Sequence, residues 1–182
     1  MKDLFVLTAD ADMQAVFQAI LRRPYALGMR PISSYVDRHP NRDPGVFSNG
    51  PEFVRRTIPK NDYLRFILAF DHDGSGCKRQ SEECARTVQE RLDSFTFQDC
   101  SMVVVIAPEL EEWVWHDPSA IANSIEAAAV TGPKERLRQV FKRQPRPQDF
   151  ERIAARASLQ AWNSSPSFRI LKETLQNWFP AA

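Results

Sequence analysis

The chain has 182 residues, 43% of them hydrophobic and 26% charged, with a formal net charge of +1. This composition is typical of a folded globular protein and excludes a disordered or collagen-like chain. No apolar run approaches the ~20 residues that a membrane-spanning helix needs. The N-terminal residues show no cleavable leader, and the three cysteines (Cys77, Cys84 and Cys100) are odd in number and widely spaced. We therefore expect a cytoplasmic protein with free thiols and no membrane partner.

Charge is distributed unevenly along the chain. Residues 1–129 carry 14 Lys and Arg against 19 Asp and Glu, whereas residues 130–182 carry 10 against 4. An acidic front and a basic tail suit a cation site beside a surface that holds phosphate, although ordinary solvated helices would give the same imbalance. We predict an α/β domain at 1–129 and a basic helical extension at 130–182 that packs on it as one structural unit.

The chain opens with a predicted strand, helix and strand. Residues 4–9 are a short apolar run that stops at Asp10 and Asp12. From Met13 onward, apolar residues recur at i, i+3, i+4, i+7 and i+8, which is typical of a helix with one buried side. Residues 31–36 alternate loosely between apolar and polar, and this pattern predicts a second strand.

The middle of the chain holds its most apolar strand. The segment 39–45 contains two prolines and a glycine, so we expect an irregular loop there. Residues 51–62 suit a short helix with Pro51 in its first turn. Residues 64–70 are almost all apolar, which is typical of a strand buried on both faces, and they end abruptly in the Asp-x-Asp-Gly turn at 71–74.

One more helix and one more strand follow, and then only helices. The spacing of Cys84, Val88 and Leu92 predicts the buried side of a helix, and residues 102–107 form another doubly buried strand. Apolar residues at helical spacing then predict four more helices. Their buried faces are Ile121, Ala122 and Ile125 in the first; Leu137, Val140 and Phe141 in the second; Phe150, Ile153 and Ala154 in the third; and Phe168, Leu171, Leu175 and Trp178 in the fourth. The alternation predicts an α/β fold, a mostly parallel sheet sandwiched by helices, with a C-terminal helical extension.

Acidic residues follow three of the predicted strands. They are Asp10 and Asp12 after the first strand, Asp71 and Asp73 after the central strand, and Glu109, Glu111 and Glu112 after the last. Ligands bind beyond the carboxyl ends of parallel strands, so these carboxylates are candidates for one site. Carboxylate oxygens suit Mg²⁺ or Mn²⁺, and an ion so held neutralises phosphate charge and activates water. Helix capping, turn formation and helix first-turn charges are the simpler explanations for the same residues.

The histidines and the basic residues point to a function less clearly than the acidic residues do. His39, His72 and His116 lack the HxH or HxxxH spacing of a zinc site. His72, between two aspartates, suits a proton donor or a residue that simply faces water. The basic residues that could bind nucleic-acid phosphates, or merely form a solvated helix face, are Lys134, Arg136, Arg138, Lys142 and Arg143.

Six segments resemble small Toprim-like proteins of unknown function encoded in bacterial anti-phage loci, including the methylation-associated defence system. The segments are 6–12, 31–32, His-Pro-x-Arg-Asp-Pro-Gly at 39–45, Phe-Asp-x-Asp-Gly at 70–74, Pro-Glu-Leu-Glu-x-Trp-Val-Trp at 108–115, and Ser-Phe-x-x-Leu with a later Trp-Phe at 167–179. The resemblance spans nearly the whole chain and implies a Toprim/Rossmann-like sheet.

Toprim enzymes use a glutamate after the first strand as general acid or base and an Asp-x-Asp pair to bind Mg²⁺. The resemblance therefore implies that Asp71 and Asp73 bind Mg²⁺ or Mn²⁺, with Glu111 as a further ligand. Asp10 or Asp12 stands where Toprim enzymes have the glutamate, and its shorter side chain reaches less far. The resemblance and the sequence positions suggest four accessory residues of the same site, which are Glu109, His72, His39 and Arg42.

Three functions remain open at this point. The first is a metal-dependent nuclease of Toprim type that acts on DNA or RNA in anti-phage defence. The second is a non-catalytic Toprim-like subunit or sensor that binds other proteins of a defence locus. The third takes 70–75 as the Asp-x-Asp-Gly-Ser box of a haloacid-dehalogenase-like phosphatase with Asp71 as nucleophile, although that box normally follows the first strand of its domain.

Overall fold

The structure, a computed structural model, describes residues 1–121 and 132–181. Its strands are β1 (Lys2–Thr8), β2 (Ser34–Arg38), β3 (Tyr63–Asp71) and β4 (Ser101–Ile106). They form one parallel sheet in the order β2-β1-β3-β4. Thr8 pairs with both Arg38 and Ala69, and Asp71 pairs with Ile106, so the carboxyl ends of all four strands meet at one edge. The predicted α/β fold is confirmed.

Helices connect the strands and continue beyond the sheet. They are α1 (Ala11–Leu21), α2 (Pro24–Leu27), α3 (Arg42–Thr57), α4 (Ser81–Leu92), α5 (Glu111–Trp115), α6 (Pro133–Phe141), α7 (Pro147–Arg156), α8 (Leu159–Trp162) and α9 (Pro166–Trp178). Short 3₁₀ turns lie at Lys60–Asp62 and Pro118–Ala120, and a π-helical turn lies at Asp93–Phe97.

The strand order places a topological switch between β1 and β3. The chain steps from β1 outward to β2, and then back past β1 to β3 and β4. Because parallel crossovers are right-handed, α1 lies on one face of the sheet, and α3 and α4 lie on the other. The loops after β1 and β3 therefore diverge, which opens a crevice at the carboxyl edge where ligands bind in open α/β sheets.

Helix α3 corrects two predictions. The segment 39–45 is not wholly irregular, because α3 begins at Arg42, and the helix expected over 51–62 is instead the second half of α3, with Pro51 in its interior. Pro51 has no N–H to donate to the carbonyl of Phe47, four residues earlier. Arg91 of α4 supplies the missing donor through its Nη1, 3.2 Å from that oxygen. A long-range contact thus makes an interior proline acceptable.

The other elements follow the sequence pattern with smaller shifts. The second strand covers Ser34–Arg38, later than the predicted 31–36, whereas β3, α4 and β4 match their predictions within one residue. Between Asp117 and residue 121, where the first described range ends, the structure has one 3₁₀ turn, Pro118–Ala120. Ala122 and Ile125, and the predicted domain boundary at 129/130, lie outside the described residues.

The C-terminal helices share the core of the sheet. Helix α7 packs on α1, and α9 packs beside β4. Trp113 of α5 is fully buried, and its ring lies 5.9 Å from that of Phe17 and 5.1 Å from that of Phe168. One hydrophobic cluster therefore contains residues from both predicted segments. Among the described residues no helix is long and apolar enough to cross a membrane.

The expectation that all three cysteines are free thiols is wrong for two of them. Cys77, in the loop before α4, forms a disulfide with Cys84, one turn into that helix. Their Cα atoms lie 6.2 Å apart, which is within disulfide range. The disulfide is local, because only seven positions separate the two cysteines. The odd total of three and the more distant Cys100 therefore did not argue against a bond between this pair.

Candidate functional site: an acidic cluster at the carboxyl edge

Six carboxylates act electrostatically on one another at the carboxyl edge of the sheet. We call them the acidic cluster, and its members are Asp10, Asp12, Asp43, Asp71, Glu109 and Glu111. They come from the segments that follow β1, β2, β3 and β4. The structure thus brings together most of the acidic residues that the sequence placed at three strand ends, and adds one from a fourth.

Asp71 is the buried centre of the acidic cluster. It is the last residue of β3, and its backbone N–H donates to Oδ1 of Asp43 at 2.7 Å. Its own Oδ1 is buried and accepts no hydrogen bond from the described residues. Burial, followed by the charges of Asp43 and Glu111, raises the pKa of Asp71 well above its ordinary value. A charged carboxylate in this setting needs a cation or a proton to compensate it.

Asp43 is a member of the acidic cluster that the sequence did not predict as a site residue. It lies in the first turn of α3, just after β2, and burial raises its pKa although the Asp71 N–H opposes this. Two residues further on, α3 packs closely on His39 at Gly45, where a Cβ would lie 2.1 Å from Nδ1 of His39. One signal could have found Asp43: it follows a strand, as the other acidic candidates do.

Asp10 and Asp12 have different surroundings. Oδ1 of Asp10 accepts the backbone N–H of Met13 at 2.9 Å, so the prediction that one of the two aspartates caps α1 is confirmed for Asp10. The Asp12 carboxylate accepts no hydrogen bond from the described residues. Burial, and then the charge of Asp10, raises the pKa of Asp12 to about 6.

Glu111 and Glu109 enter the acidic cluster from the segment after β4. Glu111 is the first residue of α5 and only 5% exposed. Burial, and then the charge of Glu109, raises the pKa of Glu111 to about 7. The loop that carries them is fixed to the neighbouring strand end, because the backbone N–H of Asp73 donates to the carbonyl of Pro108 at 2.9 Å.

Lys134, in the first turn of α6, contributes a positive charge to the acidic cluster. Its Nζ lies 3.6 Å from Oε2 of Glu109. Partial burial lowers its pKa, but the charges of Glu111 and Glu109 outweigh this effect and leave the pKa raised. Helix α6 is held over the site by Trp115, whose Nε1 donates to the carbonyl of Pro133 at 2.8 Å and whose ring lies under the guanidinium of Arg136 at 4.2 Å.

Asp73 and the histidines lie outside the acidic cluster. The side chain of Asp73 is 68% exposed and lies 3.4 Å from Nδ1 of His72, whose Nε2 is 2.7 Å from the carbonyl of Arg79. His39 is buried against Phe53, and its Nδ1 accepts the backbone N–H of Asn41. The structure therefore brings only the first aspartate of the Asp-x-Asp pair into the cluster.

The basic residues of α6 and the following turn are largely engaged within the chain. Besides Lys134 and Arg136, Arg138 bonds to Glu135 and Gln144, and Arg143 makes two hydrogen bonds to Asp149. Lys142 ends α6 in a left-handed conformation, with φ of 52°. Four of the five residues predicted to bind nucleic acid thus already have acidic, polar or aromatic neighbours.

The donor chemistry of the acidic cluster fits a hard divalent cation. Carboxylate oxygens are the ligands that Mg²⁺ and Mn²⁺ prefer, and the orphaned Oδ1 of Asp71 lacks the partner that a cation would supply. Within residues 1–121 and 132–181, no three Asp, Glu, His or Cys side chains are placed so that they could hold one metal ion together. Side-chain rearrangement would have to accompany binding.

Comparison of the chain with protein-family models, with curated proteins and with solved structures finds no match.

Proposed function

We propose that this chain is a divalent-metal-dependent phosphodiesterase of Toprim type, which hydrolyses DNA or RNA and acts in anti-phage defence. The observation that carries the proposal is Asp71, whose buried Oδ1 lacks a hydrogen-bond partner among the described residues and lies with the five other carboxylates of the acidic cluster at the switch point of the sheet. Nothing in the packing of a sheet edge requires this arrangement, and its electrostatic cost is removed when a cation binds.

Asp71 and Glu111 are the residues that would hold Mg²⁺ or Mn²⁺, with Asp43 fixed beside them by its hydrogen bond from the Asp71 N–H. The bound ion would neutralise phosphate charge and lower the pKa of a water molecule. Hydrolysis adds that water across one P–O bond and yields a phosphomonoester and an alcohol. The side chains of the acidic cluster would orient the water and accept its proton.

Asp12 suits the role of proton acceptor better than Asp10. One oxygen of Asp10 already accepts the capping hydrogen bond from Met13, whereas the Asp12 carboxylate is free of such bonds within the described residues. We therefore expect Asp12→Asn to reduce turnover of a phosphodiester far more than it reduces Mn²⁺ affinity. Asp10→Asn keeps an oxygen that can cap α1, so it tests the alternative assignment without loss of the cap.

The test is calorimetric titration of Mn²⁺ and Mg²⁺ into the wild type, Asp71→Asn and Asp62→Asn. Asp62 lies at the amino end of β3, so it matches Asp71 in residue type at the opposite end of the same strand. We expect saturable binding by the wild type and Asp62→Asn, and none by Asp71→Asn. Asp73→Asn, included in the series, measures whether the exposed second aspartate contributes. No binding to the folded wild type would refute the proposal.

A non-catalytic subunit that binds other proteins of a defence locus is the second candidate. The observation that favours it is Lys134, which already places a positive charge among the carboxylates. A lysine that offsets part of the negative charge reduces the need for a metal. The same titration separates the two functions, because the subunit hypothesis predicts no metal binding by wild-type protein that is folded and monodisperse.

A further inference from the structure

A cleft of about 370 Å³ opens beside the acidic cluster, between the carboxyl ends of β1 and β2. Asp10 lines it from the β1 side. Arg38, the last residue of β2, and Arg42, the first residue of α3, line it from the other side. The cleft therefore adjoins the acidic cluster through Asp10, and it is lined by two arginines and by the carboxylates of Asp10 and Asp37.

The two arginines are not used by the fold. Both are exposed, and neither guanidinium forms a hydrogen bond or ion pair with the described residues. This distinguishes them from Arg91, Arg138 and Arg143, which all bond to acidic or carbonyl oxygens. Guanidinium groups that line a cleft without a hydrogen-bond or ion-pair partner are suited to donate paired hydrogen bonds to the oxygens of an anion such as phosphate.

The backbone of Arg42 adds a second observation. Its φ is 51°, in the left-handed region that costs an L-residue about 1 kcal/mol or more. The residue also opens the 16-residue helix α3, whose N-terminal end carries partial positive charge.

We infer that this cleft binds a non-scissile phosphate of a nucleic-acid strand, held by Arg38 and Arg42, while the neighbouring phosphate lies at the acidic cluster. The inference rests on the proposed function for the identity of the second position. Two adjoining sites, one with a pair of arginines and one that takes a metal, select a substrate with successive phosphates over a mononucleotide. Asp37 and Asp10 limit the cleft to a singly charged phosphodiester, since they oppose a more highly charged group.

The test measures binding of a fluorescein-labelled 12-residue oligodeoxythymidylate by anisotropy, both in EDTA and with Ca²⁺. The variant is Arg38→Gln/Arg42→Gln, and the control is Arg55→Gln/Arg56→Gln, which removes the same charge from the opposite end of α3. We expect the variant to bind about tenfold or more weakly than the control, since hydrogen bonds to charged groups have at least that effect. The slope of log Kd against log salt should fall by about 0.7 for one lost phosphate contact.

Two outcomes would overturn the inference. One is binding by the cleft variant within twofold of the control. The other is competition by inorganic phosphate or thymidine monophosphate as effective, per phosphate, as that by unlabelled oligonucleotide, because the cleft would then bind free phosphate groups. The failure of the proposed function looks different: the wild type would take up no Mn²⁺, while the loss of oligonucleotide binding in EDTA would still distinguish the cleft variant from the control.

Discussion

Glu111→Gln should stabilise this protein at alkaline pH while it impairs the proposed site. Glu111 is buried in the acidic cluster with a pKa of about 7, against an ordinary value of 4.5. In the folded chain the carboxyl therefore keeps its proton up to a pH at which the unfolded chain has lost it. Its contribution to stability is fully present below pH 4.5 and is lost as the pH rises through 7.

The size of this loss follows from the two pKa values. At about 1.4 kcal/mol per pKa unit, the carboxylate costs the metal-free fold about 3 kcal/mol at pH 8. A neutral glutamine of similar shape does not bear this cost. For a chain of this length the gain corresponds to a rise of about 6–12 °C in Tm. At pH 4 glutamate is protonated in both states, so the variant and the wild type should be nearly equal.

The assay is urea denaturation in EDTA at pH 4, 6 and 8, followed by tryptophan fluorescence. Glu173→Gln is the matched control, because Glu173 is exposed on α9 and forms no ion pair with the described residues. We expect the advantage of Glu111→Gln to grow from pH 4 to pH 8 and the control to show no trend. A variant that is less stable than the wild type at pH 8 would show that burial and the neighbouring charges do not disfavour the Glu111 carboxylate.

Three further predictions concern neighbouring features. Lys134→Met should bind Mn²⁺ about tenfold more tightly by calorimetry, because a competing cation is removed, and weaker binding would mean that the lysine assists the metal. Gly45→Ala should lower the free energy of unfolding by about 1–3 kcal/mol, because its Cβ would overlap the His39 ring; a rise, as at an open helical site, would contradict this. Cys77→Ser/Cys84→Ser should lower it by about 2 kcal/mol, and an intact mass unchanged by reduction would refute the disulfide.

The sequence was sufficient to predict the sheet and the residues that terminate its strands. A short apolar run predicts a buried strand largely without regard to the rest of the chain, so β1, β3 and β4 were predicted within a residue or two. Asp10 and Asp71 then followed, because the carboxyl ends of parallel strands must share an edge. These inferences use only local pattern and one rule of topology.

The parts of the site that were missed depend on contacts between distant segments. Asp43 reaches Asp71 because α3 begins at Arg42, inside the segment predicted as a loop, and there Gly45 packs closely on His39. Lys134 reaches Glu109 because Trp115 anchors α6. The local sequence around Asp43 predicts a turn, and that around Lys134 predicts a basic helix. Neither pattern indicates which distant residue the side chain contacts.

From the charges of the acidic cluster we expect it to release protons when it binds a cation. Four of its carboxyls, those of Asp12, Asp43, Asp71 and Glu111, have raised pKa values, chiefly through burial, and Lys134 supplies one positive charge near them. A divalent ion stabilises the ionised forms, so its binding must release the protons that these groups hold near pH 6. The heat of Mn²⁺ binding at pH 6 should therefore differ between buffers of different ionisation enthalpy, and the difference should shrink at pH 8. Equal heats in both buffers at pH 6 would mean that the ion binds elsewhere, because a metal at Asp71 cannot leave its neighbours' protonation unchanged.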